Sequence, residues 1–115
     1  MIHALLMGLP TVGPRTLNRG LRYGYWHILV FDVNSLDSFQ HAHVPNAQHL
    51  DPLTFTAEDL PDDKKAFLVF YCANRLCRKG ALAARKARRL GYPNVIVMSA
   101  GIKGWLAAGL PTESA

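Results

Sequence analysis

The chain has 115 residues, half of them hydrophobic and 18% charged, with a formal net charge of +5. That is enough to bury a core without metal or disulfide support, and the composition excludes a disordered or low-complexity segment. Two cysteines are too few for a secreted disulfide scaffold, and no apolar run approaches the roughly 20 residues of a membrane-spanning helix.

The opening MIHALLMGLP is apolar but short. It has neither a basic n-region nor a small-residue cleavage site, so it does not read as a signal peptide, and a cytoplasmic location is the expectation. RTLNRGLRY (15–23) carries a helical pattern. ILVFDV (28–33) is a nearly continuous apolar run, as expected of a strand buried on both faces of a parallel sheet, with Asp32 at its end. SLDSFQ (35–40) predicts a short helix with Asn34 or Ser35 as N-cap. From Thr56 to Lys65 the chain is charged, and a helix there would be broken by Pro61. FLVFY (67–71) is the second buried strand. The strongest helical pattern runs from about Cys77 to Leu90 and closes at Gly91 in the C′ position. NVIVM (94–98) is the third apolar run, and Ile102 to Ala108 makes the last helix, followed by Gly109 and Pro111. Strands alternating with helices, without repeats or a linker, predict one α/β domain over residues 1–115 with right-handed crossovers.

The positive charge comes largely from the stretch between Tyr71 and Tyr92. On a helical wheel Gly80, Ala83, Ala84, Ala87 and Leu90 fall on one side, and Arg78, Arg85 and Arg89 on the other. A solvated helix face explains this pattern. Nucleic acid is disfavoured as a partner, because no aromatic platform or recognition motif accompanies the charges. A small anionic substrate fits better.

Ligands of open α/β sheets bind beyond the carboxyl ends of the strands. Cys72 is the first residue past such an end, and Asp32 should lie along the same edge. On position alone Cys72 could be a nucleophile, half of a disulfide, a metal ligand or a small buried side chain. Zinc is disfavoured, because Cys72, Cys77, His41 and His43 offer no second ligand pair of conventional spacing. The tight reversal from strand to helix tends to turn backbone N–H groups inward as an anion-binding nest, to which the helix adds its positive end. A thiol there feels a field that favours the thiolate, and Arg75, Arg78 and Lys79 add mobile charge at the rim. Cys77 has three readings open: packing in the first helical turn, shaping the loop, or serving as a resolving thiol for Cys72.

Three stretches together resemble the rhodanese-like domains. FDVNSLDSFQHAHVPNAQHL (31–50) is similar to that family's "DVR…EF…GHIPGA" signature through Asp32, Val33, Phe39, His43, Pro45 and Ala47. VFYCANRLCRKGALAARKARRLGYPNV (69–95) resembles its active-site strand, loop and helix. SAGIKGWLAAGLP (99–111) resembles its closing "GGi..W..aG.P" through Gly101, Trp105, Gly109 and Pro111. The resemblance covers about residues 15–111 and implies a central parallel sheet with helices on both faces. It also implies a sulfurtransferase that moves a sulfane sulfur, from a donor such as thiosulfate, to a thiol, cyanide or protein acceptor through a Cys72 persulfide. Backbone N–H groups of Ala73, Asn74, Arg75, Leu76, Cys77 and Arg78 would hold the outer sulfur. No cofactor or metal is implied, nor a nucleic acid or membrane partner.

The sequence departs from the family in several places. Cys77 stands where Arg or Ser is usual, and Ala83-Ala84 and Gly91 fall two positions late, as in a longer-loop subgroup with Gly80 where Ser is common. Asn34 replaces an arginine, and Ala42, Asn46 and Ala100 replace glycines. Asp32 is expected to hold the loop, by hydrogen bonds or through a loop arginine. His43 is expected to be a structural hydrogen-bonding residue, and Trp105 core. Two alternatives stand beside sulfur transfer. One is a phosphatase or arsenate reductase on the same fold, from the Cys72-x5-Arg78 spacing; against it, Tyr71 precedes the cysteine and no leaving-group acid is assignable. The other is a non-enzymatic sulfur-carrying or regulatory module.

Overall fold

The apolar runs become adjacent strands. In the computed structural model, which describes residues 2–24 and 27–115, β1 (Ile28–Asp32), β2 (Gln48–His49), β3 (Phe67–Tyr71) and β4 (Val95–Val97) form one parallel sheet in the order β2-β1-β3-β4. β1 pairs with β3 from Ile28↔Phe67 to Asp32↔Tyr71, so the carboxyl ends of the two central strands are level. The helices are α1 (Ile2–Leu6), α2 (Pro14–Tyr23), α3 (Leu36–His41), α4 (Lys79–Arg89) and α5 (Gly101–Ala107).

Successive side chains of β3 point to opposite faces, and both faces are covered. Leu68 and Phe70, with Cys72 beyond them, join Ala4 of α1, Phe31, and Ala81, Ala84 and Ala87 of α4. Val69 and Tyr71 join Leu17 of α2, Val30, Val44, and Ile102 and Trp105 of α5. This double burial is why the strands read as continuous apolar runs rather than alternating ones. The small residues on α4 let it approach the sheet closely; a Cβ on Gly80 would lie 3.3 Å from the Tyr71 Cα. Trp105 is fully buried in the core, with its indole N–H donating to the Pro111 carbonyl at 2.8 Å.

Several boundaries differ from the sequence expectation for identifiable reasons. α4 starts at Lys79 rather than near Cys77. The Asn74 side chain accepts from the Leu76 amide at 2.9 Å and its carbonyl accepts from the Cys77 amide at 3.1 Å, which holds that segment in a turn. The charged stretch at 56–65 contains only a 3₁₀ turn, Ala57–Asp59, capped by Thr56, whose own amide donates to Asp59 at 2.8 Å. Ser35, not Asn34, caps α3, accepting from the Ser38 amide at 3.2 Å. β2 was not expected: two residues are too few to leave a pattern. Asn46, where the resemblance leads one to expect glycine, has a φ of 64°, a left-handed turn that Asn tolerates.

Part of the basic stretch is tied to its neighbours. The Arg88 guanidinium donates to the Gly8 and Met7 carbonyls at 3.5 and 3.4 Å, and Lys86 donates to the Leu53 carbonyl at 3.2 Å. Among the described residues no helix is long and apolar enough to cross a membrane.

Candidate active site

β3 delivers Cys72 to the carboxyl edge of the sheet, where it is only 4% exposed. Two helices meet it there. At the start of α4 the Gly80 amide points to the Cys72 sulfur, with N···Sγ 3.4 Å. At the start of α5 the amides of Ile102 and Lys103 donate to the carbonyls of Cys72 and Ala73, each at 3.0 Å. This second contact requires Gly101: its φ is +67°, and a Cβ there would lie 2.6 Å from both carbonyl oxygens.

The loop from Ala73 to Arg78 rises from this anchored base. Arg75, Leu76, Arg78 and Lys79 are exposed, and Ala73, Asn74 and Cys77 are half-buried. The expected nest is only partly free. The amides of Leu76 and Cys77 are spent on Asn74, whereas those of Ala73, Asn74, Arg75 and Arg78 have no partner among the described residues. The amide that does reach the Cys72 sulfur belongs to Gly80, beyond the expected segment. Cys72 and Cys77 are joined as a disulfide, with Cα atoms 6.4 Å apart.

Asp32 lies on the same edge and is fully buried, but it meets no loop arginine among the described residues. Its carboxylate accepts from the Tyr71 hydroxyl at 2.6 Å and from the Asn34 amide at 2.8 Å, while the Tyr71 oxygen accepts from the Val44 amide at 3.1 Å. Asp32 is thereby tied to Tyr71, the residue before the cysteine. Of the two expected ties, hydrogen bonds or a loop arginine, the structure shows hydrogen bonds, one of them from Tyr71, which lies directly opposite Asp32 in the sheet. Burial, and then the neighbouring Asp32 carboxylate, push the Tyr71 phenol far above its ordinary range.

His43 is buried among defined partners. Its Nδ1 donates to the Phe39 carbonyl at 2.7 Å, its ring stacks on Phe39 at 3.9 Å, and its Nε2 lies 3.9 Å from Glu113.

Two residues at the site were not anticipated. Ser99 and His3 line a cavity of about 10 Å³ against Cys72 and Cys77, and the Ser99 hydroxyl is buried without a hydrogen-bond partner among the described residues. Ser99 lies two residues past the end of β4, on the same carboxyl edge, so the strand-end rule could have found it. Nothing in the sequence pattern marks His3. Asn34 carries a buried side-chain NH₂ that also has no partner among the described residues, and lines a groove of about 430 Å³ with Lys79 and Leu82.

The family model described as Rhodanese-like domain matches residues 15–108. The chain is 35% identical over 101 residues to an adenylyltransferase and sulfurtransferase of Candida albicans, covering 82% of this chain and 23% of that protein. It therefore spans about a quarter of the length of that curated relative. Among solved structures, a Bacillus halodurans protein superposes with a TM-score of 0.85 at 22% identity, covering 97% of this chain and 82% of that one. A thiosulfate sulfurtransferase of Pseudomonas aeruginosa superposes with a TM-score of 0.74 at 26% identity, covering 93% of this chain and 20% of that one.

Proposed function

This chain belongs to the rhodanese-like domain family, and we propose that it is a sulfurtransferase in which Cys72 carries the transferred sulfur. The observation that carries the reading is the seat of Cys72: a nearly buried sulfur beneath the Gly80 amide at the positive end of α4. Negative charge on that sulfur, or on one bonded to it, is stabilised there by preorganised donors.

The working form is the dithiol. The Cys72 thiolate attacks the outer sulfur of thiosulfate, the S–S bond of the donor breaks, and sulfite leaves with the bonding pair. The resulting persulfide keeps its negative charge on the outer sulfur, and the amides of Ala73, Asn74, Arg75 and Arg78, which have no partner among the described residues, are the loop donors proposed for it. Cyanide or a thiolate then attacks the outer sulfur, the persulfide bond breaks, and the Cys72 thiolate returns. Arg75, Arg78 and Lys79, exposed around the loop, draw the anionic donor. Gly101 and Tyr71, with Asp32 behind it, hold the loop's base in place.

In the disulfide-bonded form the cavity beside Cys72 is about 10 Å³, room for about one added atom. The test is a side-by-side assay of reduced protein with thiosulfate and cyanide, with an aryl phosphate, and with arsenate and a thiol. Thiocyanate formation that disappears in Cys72→Ser, with no phosphate release, is the expected outcome. Phosphate release or arsenate reduction without thiocyanate would replace the reading with the phosphatase-like one. Loading of Cys72 with sulfur but no turnover would favour the carrier module.

A further inference from the structure

We infer that Cys77 discharges the Cys72 persulfide from within the loop, releasing hydrosulfide and leaving the Cys72–Cys77 disulfide. This gives the protein a second activity, the reduction of a sulfane sulfur to hydrosulfide at the expense of thiols. The inference rests on the sulfurtransferase reading of Cys72.

The arrangement of the loop carries it. The two cysteine sulfurs are bonded in the structure, across a Cα separation of 6.4 Å that lies within the ordinary disulfide span of about 4.4–6.8 Å. Asn74 fixes Cys77 in that place by accepting from the amides of Leu76 and Cys77. Cys77 is half-buried and packs against the same core cluster as Cys72, contacts that do not depend on the disulfide bond itself. An external acceptor must instead reach a residue that is only 4% exposed in the disulfide-bonded form. A thiol held in contact reacts at an effective concentration that a dissolved one does not reach.

The step balances within the protein. The Cys77 sulfur attacks the inner sulfur, Cys72 Sγ, and forms the disulfide bond. The bond from Cys72 Sγ to the outer sulfur breaks, and its electron pair leaves with the outer sulfur, which takes up the proton of the Cys77 thiol and departs as HS⁻. The outer sulfur is reduced by two electrons, and the two cysteine sulfurs are oxidised to the disulfide. Two equivalents of a low-molecular-weight thiol then restore the dithiol by exchange and end as their own disulfide. The cavity shared by Cys72 and Cys77, about 10 Å³, has room for roughly one departing atom. The Ser99 hydroxyl on its wall, without a hydrogen-bond partner among the described residues, is a donor for that anion.

The test is a single turnover without acceptor. Reduced, desalted protein is mixed with one equivalent of thiosulfate, and sulfide and intact mass are followed in wild type, Cys77→Ser and Cys77→Ala. Wild type should release one sulfide per chain and end two hydrogens lighter than the reduced protein, with the Cys72–Cys77 linkage found by peptide mapping. Both variants should retain one extra sulfur, removable by cyanide, and release sulfide at least tenfold more slowly. Wild type that holds its extra sulfur as long as the variants overturns the inference and leaves the sulfurtransferase reading standing. So does sulfide release without a matching Cys72–Cys77 linkage, a result that needs no variant to fold. Failure of all three proteins to take up sulfur removes the sulfurtransferase reading, and the inference with it.

Discussion

The amide of Ile102 donates to the carbonyl of Cys72 at 3.0 Å, which ties the start of α5 to the residue that ends the central strand. The close approach depends on Gly101, whose φ of +67° and missing Cβ leave room for the Cys72 and Ala73 carbonyls. Gly101→Ala should therefore cost about 2–4 kcal/mol, from a left-handed backbone and from overlap that must be relieved. Urea unfolding measures this, and sulfur transfer should fall with it because the loop's base shifts. An unchanged midpoint would show that the clamp is not needed.

Tyr71 and Asp32 form the second tie. Tyr71→Phe leaves the Val44 amide and one side of the Asp32 carboxylate without their buried partner, at a cost of about 1–3 kcal/mol. The sign of the pH dependence follows from the raised phenol pKa. The folded state holds the Tyr71 proton more tightly than the unfolded chain, so this contribution is whole below the unfolded value of 10.0 and is lost as pH rises above it. Stability of the wild type should decline through the alkaline range more steeply than that of Tyr71→Phe, measured by unfolding at a series of pH values.

Arg75 and Arg78 are exposed at the loop and form no ion pair among the described residues. Replacing both with Gln should raise the KM for thiosulfate by about 3–10-fold and flatten its dependence on salt, with kcat changed far less. A fall in kcat at constant KM would instead place these side chains on the transition state.

The disulfide closes a short loop between residues five apart. Its contribution through the unfolded chain is correspondingly small, about 2 kcal/mol. Reduction should therefore lower the unfolding midpoint modestly while leaving the fold intact, as seen by comparing thermal unfolding with and without a thiol reductant. Collapse of the fold on reduction would mean that the dithiol form is not a working state.

Much of this architecture was legible in the sequence because the sheet is buried on both faces. ILVFDV, FLVFY and NVIVM announce their strands by composition alone, and the small residues of α4 announce the face that meets them. The strand-end rule placed Cys72 and Asp32 on one edge, and the structure puts both there. What was not legible depends on contacts between distant segments. The pairing of Asp32 with Tyr71 spans 39 residues, and the clamp from Ile102 to Cys72 spans 30; no local pattern encodes either. The start of α4 was placed too early because apolar periodicity continues through Cys77, while one side chain, Asn74, diverts the backbone into a turn. His3 reaches the site only because α1 folds back over the Cys72 face of the sheet.

The most direct test of the central claim is where sulfur goes on the protein. Reduced wild type, Cys72→Ser and Cys77→Ser are treated briefly with thiosulfate, and the sulfur is located by intact mass and peptide mapping, with cyanide as the discharging acceptor. The account predicts one added sulfur on Cys72 in Cys77→Ser, removed by cyanide, none on Cys72→Ser, and in wild type a persulfide on Cys72 that passes into the Cys72–Cys77 disulfide. Sulfur that accumulates on Cys77 in the Cys72→Ser protein, or on neither cysteine in any of the three, would contradict it.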